Sequence, residues 1–238
     1  MLYFNSDKFD FWKIYESIKK FYPIGIPKDE SKMYYSYPGI KELNSIIVDK
    51  IHNDVNFKTY WSNYDRQIEN KLQKPVIGTT YAQAPSFSSF VQLETFSFDN
   101  FIRSKEVHFF VSLIGPYYTI VGQDTNALKI GVETFRSTNY IVISPENEYT
   151  EAFNTLSDQI ESRFNGFRFV PFVISGQTIE GLEVRYDDNK SSSVFAALFN
   201  NNINLNIHTV GDKYFKSEDW IKEDYVDDRG QWTAYPPK

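Results

Sequence analysis

The sequence contains no cysteine. Disulfides, thiolate metal sites and cysteine nucleophiles are therefore excluded. Histidine is scarce: His52, His108 and His208 are the only three, and no two are close in sequence. Without cysteine, a zinc site would need histidines and carboxylates alone, and no H-x-x-x-H spacing is present. Neither a metal nor a cofactor is expected. No apolar run reaches about 18 residues, so no membrane-spanning helix is expected. The opening MLYFNSDKFDFWK has no basic segment followed by an apolar core, so no signal peptide is expected either. The expected compartment is the cytoplasm.

Glycine-rich phosphate loops are also missing. Gly115 and Gly122 flank PYYTIV, which fits neither the P-loop nor the dinucleotide fingerprint. Gly115-Pro116 reads as a turn. There is no G-x-S-x-G elbow, and the serines of APSFSSF read as turn formers ahead of a strand. Asp187-Asp188-Asn189 faintly resembles a calcium loop but lacks the glycine and glutamate of an EF-hand. It reads as a turn.

What is present is an ordinary globular composition. Of 238 residues, 41% are apolar and 24% charged, which argues against disorder. Aromatics reach 18%, with 21 Phe and 17 Tyr. Stacking on sugars or bases is one explanation. The accompanying Asn, Lys and Ile give a simpler one, since all five amino acids have A/T-rich codons.

The net charge of −6 is unevenly spread. Residues 1–74 hold 12 basic and 10 acidic side chains, and residues 75–238 hold 13 and 21. An acidic remainder disfavours nucleic acid and anionic membranes, both of which present phosphates. It favours a basic partner.

The first third reads as helical. Ser6 can cap a helix from Asp7, with Phe11, Ile14, Tyr15, Ile18, Phe21 and Tyr22 at helical spacing and YPIGIP as its stop. YPGIKELNSIIVDKIHN reads as a second helix, and Asn56 to Leu72 as a third. The character changes at Pro75. A strand is expected from Ser88, and two more in EVHFFVSLIGPYYTIVGQD, split at Gly115-Pro116. ALKIGVE, NYIVISP, GFRFVPFVIS and GLEVRYD are further strand candidates. Pro145 opens a helix to about Phe164, and SVFAALFN suggests a short one. Ile203, Leu205, Ile207 and Thr209 alternate as in a half-buried strand. The expectation is one α+β domain over residues 1–238. Its helical N-terminal third packs on a mixed, largely antiparallel sheet, with one further long helix at about 146–164. A subdivision into 1–74 and 75–238 is the alternative.

Two segments stand out by charge. On the helix after Pro145, Glu151 and Asp158 fall opposite the stripe Tyr149, Phe153, Leu156, Ile160 and Phe164, while Glu148 and Glu161 flank the exposed face. The second segment, SEDWIKEDYVDDRGQW, carries Glu218, Asp219, Glu223, Asp224, Asp227 and Asp228 against one lysine. Charge runs are usually solvated faces. Yet Trp220, Ile221, Tyr225, Trp232 and Tyr235 are more apolar bulk than a solvated tail needs. The segment is expected to dock with Trp220 or Trp232 buried, leaving its carboxylates as a rim.

No histidine carries a role on this reading. His52 ends a helix, His108 is a core or outward strand residue, and His208 is solvated. The expected function is non-enzymatic: a protein that binds and blocks another, most concretely an immunity-type inhibitor meeting a basic toxin through its acidic surface. One alternative is a hydrolase or ligand-binding enzyme built from carboxylates, tyrosines and His108. Another is a structural subunit of a larger assembly, which a large exposed apolar surface would mark.

Overall fold

The computed structural model describes residues 5–223 and 225. Helix α1 (Trp12–Phe21) buries Ile14, Ile18 and Phe21 and ends before Pro23. It starts five residues later than a Ser6 cap implies. The preceding backbone is committed elsewhere: Asp10 N–H donates to Trp220 O, and Phe9 bridges to Ile221. Asn5 Oδ1 accepts from Asp7 and Lys8 N–H instead, making a turn.

After α2 (Ser31–Ser36), α3 (Pro38–Ile47) has proline at its first position and runs on as a π turn to His52. Asn53 caps α4 (Asp54–Phe57), which continues through a π turn into α5 (Asn63–Leu72).

The sheet is mixed and mostly antiparallel, with order β1-β2-β3-β4-β5-β7. These strands are β1 (Val76–Gly78), β2 (Ser86–Phe98), β3 (Phe101–Ser112), β4 (Tyr117–Ile130), β5 (Glu133–Val142) and β7 (Thr209–Val210). β6 (Arg168–Phe169) pairs with β4, and both β6 and β7 are parallel to their neighbours. A 3-10 turn (Asn147–Tyr149) leads into α6 (Thr150–Arg163). The short helices α7 (Phe172–Ser175) and α8 (Val194–Leu198) complete the α+β architecture.

Both faces of the sheet are covered near its centre. Val107, Phe109 and Val111 of β3 meet Trp61, Tyr64 and Ile68 on one side, joined by Phe153, Leu156 and Ile160 of α6. Phe110, Val121 and Ile141 point the other way, into α1, α3 and the 170–203 segment. The helical third is therefore divided around the sheet, with α1–α3 on one face and α4–α5 on the other.

Several strand expectations change. ALKIGVE is no separate strand: Gly131, at φ 62, and Val132 form the two-residue turn between β4 and β5. In GFRFVPFVIS only Arg168–Phe169 pairs, because Pro171 ends the strand and leads α7. GLEVRYD is a series of turns whose backbone bonds locally and to Tyr34 and Ser192. The alternation over 203–209 is real in burial, with Ile203 in the core and Leu205 and Ile207 packed against it. Its backbone is turned rather than extended, because Asn200 and Asn204 accept the N–H groups of Asn202 and Asn206. Only Thr209–Val210 remains strand.

Candidate functional site: an acidic face along α6

The buried side chains of α6 fix its rotation. Tyr149, Phe153, Leu156 and Ile160 are all in the core, so Glu151 and Asp158 must point to solvent. Both are exposed, as are Glu148 and Glu161. These four expected residues thus share the outer side of one helix and its leading turn.

They differ in what they touch. Glu148 lies 2.6 Å from Lys105, which also reaches Glu94 at 3.1 Å. The Lys105 hydrogen bond holds the Glu148 carboxyl below the usual carboxylate range. At the other end Glu161 lies 2.6 Å from Lys216. Burial alone would raise the Glu161 carboxyl, but bonds from Lys216, Tyr118 and Ser157 bring it below its ordinary value. Lys216 also lies 2.6 Å from Ser157 Oγ, and Tyr118 bonds to both Ser157 and Glu161. Burial, then the Glu161 carboxylate, pushes the Tyr118 hydroxyl far up. Between these two clasps, Glu151 and Asp158 form no ion pair among the described residues.

The second acidic segment joins the first. Glu218 and Asp219 are exposed in a 3-10 turn (Glu218–Trp220) anchored by Trp220, which is wholly buried. The Asp219 charge acts on Tyr118, the residue that Glu161 also touches. Lys216 and Tyr118 therefore sit where α6 and the tail meet. Glu223 is exposed. Asp224, Asp227 and Asp228 lie outside the described residues, as do Trp232 and Tyr235.

Other clusters hold titratable groups. A cleft of about 380 Å³ beside α6 holds Lys74, Glu94, Lys105, Glu148 and Glu151. Two of its carboxylates, Glu94 and Glu148, share the Lys105 ammonium, which favours their ionised form, the reverse of what a general acid requires. Asp65 is the carboxyl pushed up, to about 7, by burial against a partly opposing hydrogen bond from Ser89. It packs under β2 and bonds to Ser89 at 2.8 Å, and Trp61 donates to that same serine.

A second cleft of about 340 Å³ is lined by Asp187 and five asparagines, including Asn200 and Asn204. Asp187 is the turn residue the sequence suggests, accepting from Asn189 N–H and Nδ2. It is the only carboxylate in that lining, so the pair a glycosidase needs is not assembled there. The asparagine-rich run at 200–206 was the available sequence signal for this cleft.

The histidines remain scattered. His52 contacts Ala82 O, and His208 is exposed. His108 is buried and bonds to Glu106, and Ser104 donates to the same carboxylate. Glutamate stands between Ser104 and His108, so these two make no nucleophile–base contact. No metal-holding group of His, Asp and Glu occurs among the described residues. Among those residues no helix is long and apolar enough to cross a membrane. Comparison with protein-family models, curated proteins and solved structures finds no match for this chain.

Proposed function

We propose that this chain is a non-enzymatic, cytoplasmic protein-binding protein, most concretely an immunity-type inhibitor that neutralises a basic toxin. The observation that carries the reading is the state of Glu151 and Asp158. Both are exposed, on one helix face and without an ion pair among the described residues, while the carboxylates flanking them are held by Lys105 and Lys216. The two lysines keep the flanking carboxylates ionised and fixed, and the central pair remains free to meet a partner's cations. Glu218 and Asp219 extend the same charge beyond the end of the helix. A rigid helix bearing unpaired charge suits fast, electrostatically steered association. It also needs no serine–histidine contact, and the ammonium of Lys216, which reaches Ser157, is paired with Glu161. The hydrolase alternative is less well supported, because Glu148 and Glu94 are engaged by Lys105.

Co-expression with the product of the adjacent reading frame tests the reading. If that product is toxic, this chain should restore growth, and the double reversal Glu151→Lys with Asp158→Lys should lose the protection while remaining folded. Undiminished protection by the reversed protein, or no protection by the native one, would refute the proposal.

A further inference from the structure

The four long strands outrun the helices that cover them. Past the level of Lys105 and Asp124, β2–β5 continue to the turns at 99–100 and 131–132 as an arm about 20 Å long. Register places Phe98 opposite Phe101, Phe101 opposite Leu128, and Leu128 opposite Phe135. Directly opposed residues share a face, so these four form one apolar row across the arm. Phe96 and Ile130 lie on the same face, two residues along their strands. This is also the face that α5 and α6 cover nearer the centre, where Val107 and Phe109 belong. The opposite face carries Ser97, Ile102, Ala127, Lys129, Thr134 and Arg136, with Ile102 as its one large apolar side chain among these. One-sided alternation of this kind belongs to a sheet packed against something apolar on one side. Here that side is open: Phe96, Phe98 and Phe135 are 57, 65 and 53% exposed.

We infer that the arm is a homodimerisation surface, on which a second copy of this chain lays its own apolar row face to face. Three features select that occupant. The first is area. At these exposures the three phenylalanines leave about 300–400 Å² open, and Leu128, Ile130 and Val132 bring the total to about 600 Å² per copy. Two copies then bury on the order of 1,200 Å², the lower end of stable interfaces.

The second is charge. At the tip the apolar face carries Glu133, opposite Ile130, while Lys129 and Arg136 lie on the opposite face, all three exposed. The one charged group in the middle of the face, Arg103, is already bound to the buried Asp124. The apolar face thus carries one carboxylate without an ion pair among the described residues, Glu133 at its tip, so little charge opposes the stacking of two arms despite the chain's net −6.

The third is the edges. Both outer strands bulge at the same level, β2 between Gln92 and Glu94 and β5 beside Asp124–Thr125 of its neighbour. A bulge at the base of each edge disfavours strand-to-strand extension. That leaves the broad face, at the ~10 Å spacing of packed sheets, as the mode of contact. The apolar row lies beyond Lys105 and includes neither Glu151 nor Asp158, although α6 covers the same sheet face nearer the centre.

Sedimentation velocity on the full chain, from low-micromolar to several hundred micromolar, tests the inference. The native protein should pass from one to two copies. Phe98→Glu with Phe135→Glu should weaken dimerisation at least about 100-fold with an unchanged circular dichroism spectrum, because both rings are exposed. Phe98→Ser with Phe135→Ser provides a second variant without added charge. Glu151→Lys with Asp158→Lys should leave the dimer intact. The inference is overturned if the native chain is monomeric throughout, or if its dimer survives both double replacements. It is equally overturned if the native chain stays monomeric and binds neutral phosphatidylcholine vesicles through Phe98, because the face would then serve lipid.

Discussion

The Trp220 indole N–H donates to the Phe169 carbonyl at 2.6 Å, and the ring is wholly buried. Arg168 lies over the same ring, 3.9 Å from its centroid. One residue of the acidic tail is thus anchored to β6 by a hydrogen bond, a cation–π contact and burial. Trp220→Ala should cost about 3–5 kcal/mol, measured by urea denaturation. A loss below about 1 kcal/mol would mean that the tail is not part of the cooperative fold.

Asp65 should give stability an unusual pH dependence. Its folded carboxyl lies at about 7, above an unfolded value near ~4. Between these values the folded state holds the extra proton, so stability falls as pH rises from about 4 to about 7. Asp65→Asn should remove that slope. It should also stabilise the protein at pH 8 by about 1–2 kcal/mol, after allowance for screening at a part-exposed site. Parallel pH profiles for the two proteins would contradict this.

Glu161 has the opposite sign. Its carboxyl is depressed, so its contribution is present above the unfolded value and is lost as pH falls through the folded one. Lys216→Met removes the ammonium that bridges Glu161 and Ser157. At this partly exposed pair the expected cost is about 1 kcal/mol at neutral pH, shrinking towards pH 3. A cost that is the same at pH 3 and pH 7 would show that the lysine acts through packing alone.

The histidines should be dispensable for binding. Replacing His52, His108 and His208 together with Gln should leave partner affinity within a few-fold. Some stability should be lost through His108, which is buried and bonds to the half-buried Glu106. Loss of function in a folded triple variant would reopen the enzymatic reading.

How far the sequence speaks depends on what each residue is bonded to. The stripe of α6 was legible because Tyr149, Phe153, Leu156 and Ile160 repeat at helical spacing and nothing local competes with the backbone. Its outward carboxylates followed directly. The early start expected for α1 failed because Asp10 and Phe9 pair with Trp220 and Ile221, more than 200 residues away. The strand expected at 203–209 failed through asparagine side chains that capture backbone N–H groups. The clasps at Lys105 and Lys216 were hidden for the same reason as the first failure. Their partners are distant in sequence, so only the fold shows which carboxylates are neutralised and which are free. The apolar arm escaped notice because Phe96, Phe98 and Phe135 alternate as core residues do, and pattern alone does not reveal that the helices stop short of them.

The most direct test of the acidic face is the salt dependence of association with the product of the adjacent reading frame, which the proposed function expects to be basic. Exposed charges act over about 8 Å at physiological salt. Raising salt from about 50 to about 300 mM should slow association at least tenfold while changing dissociation little. Glu151→Lys with Asp158→Lys should slow association similarly at low salt and flatten its dependence on salt. An association rate indifferent to both salt and the double reversal, or no complex at all, would contradict the account and leave these carboxylates as a solvated face.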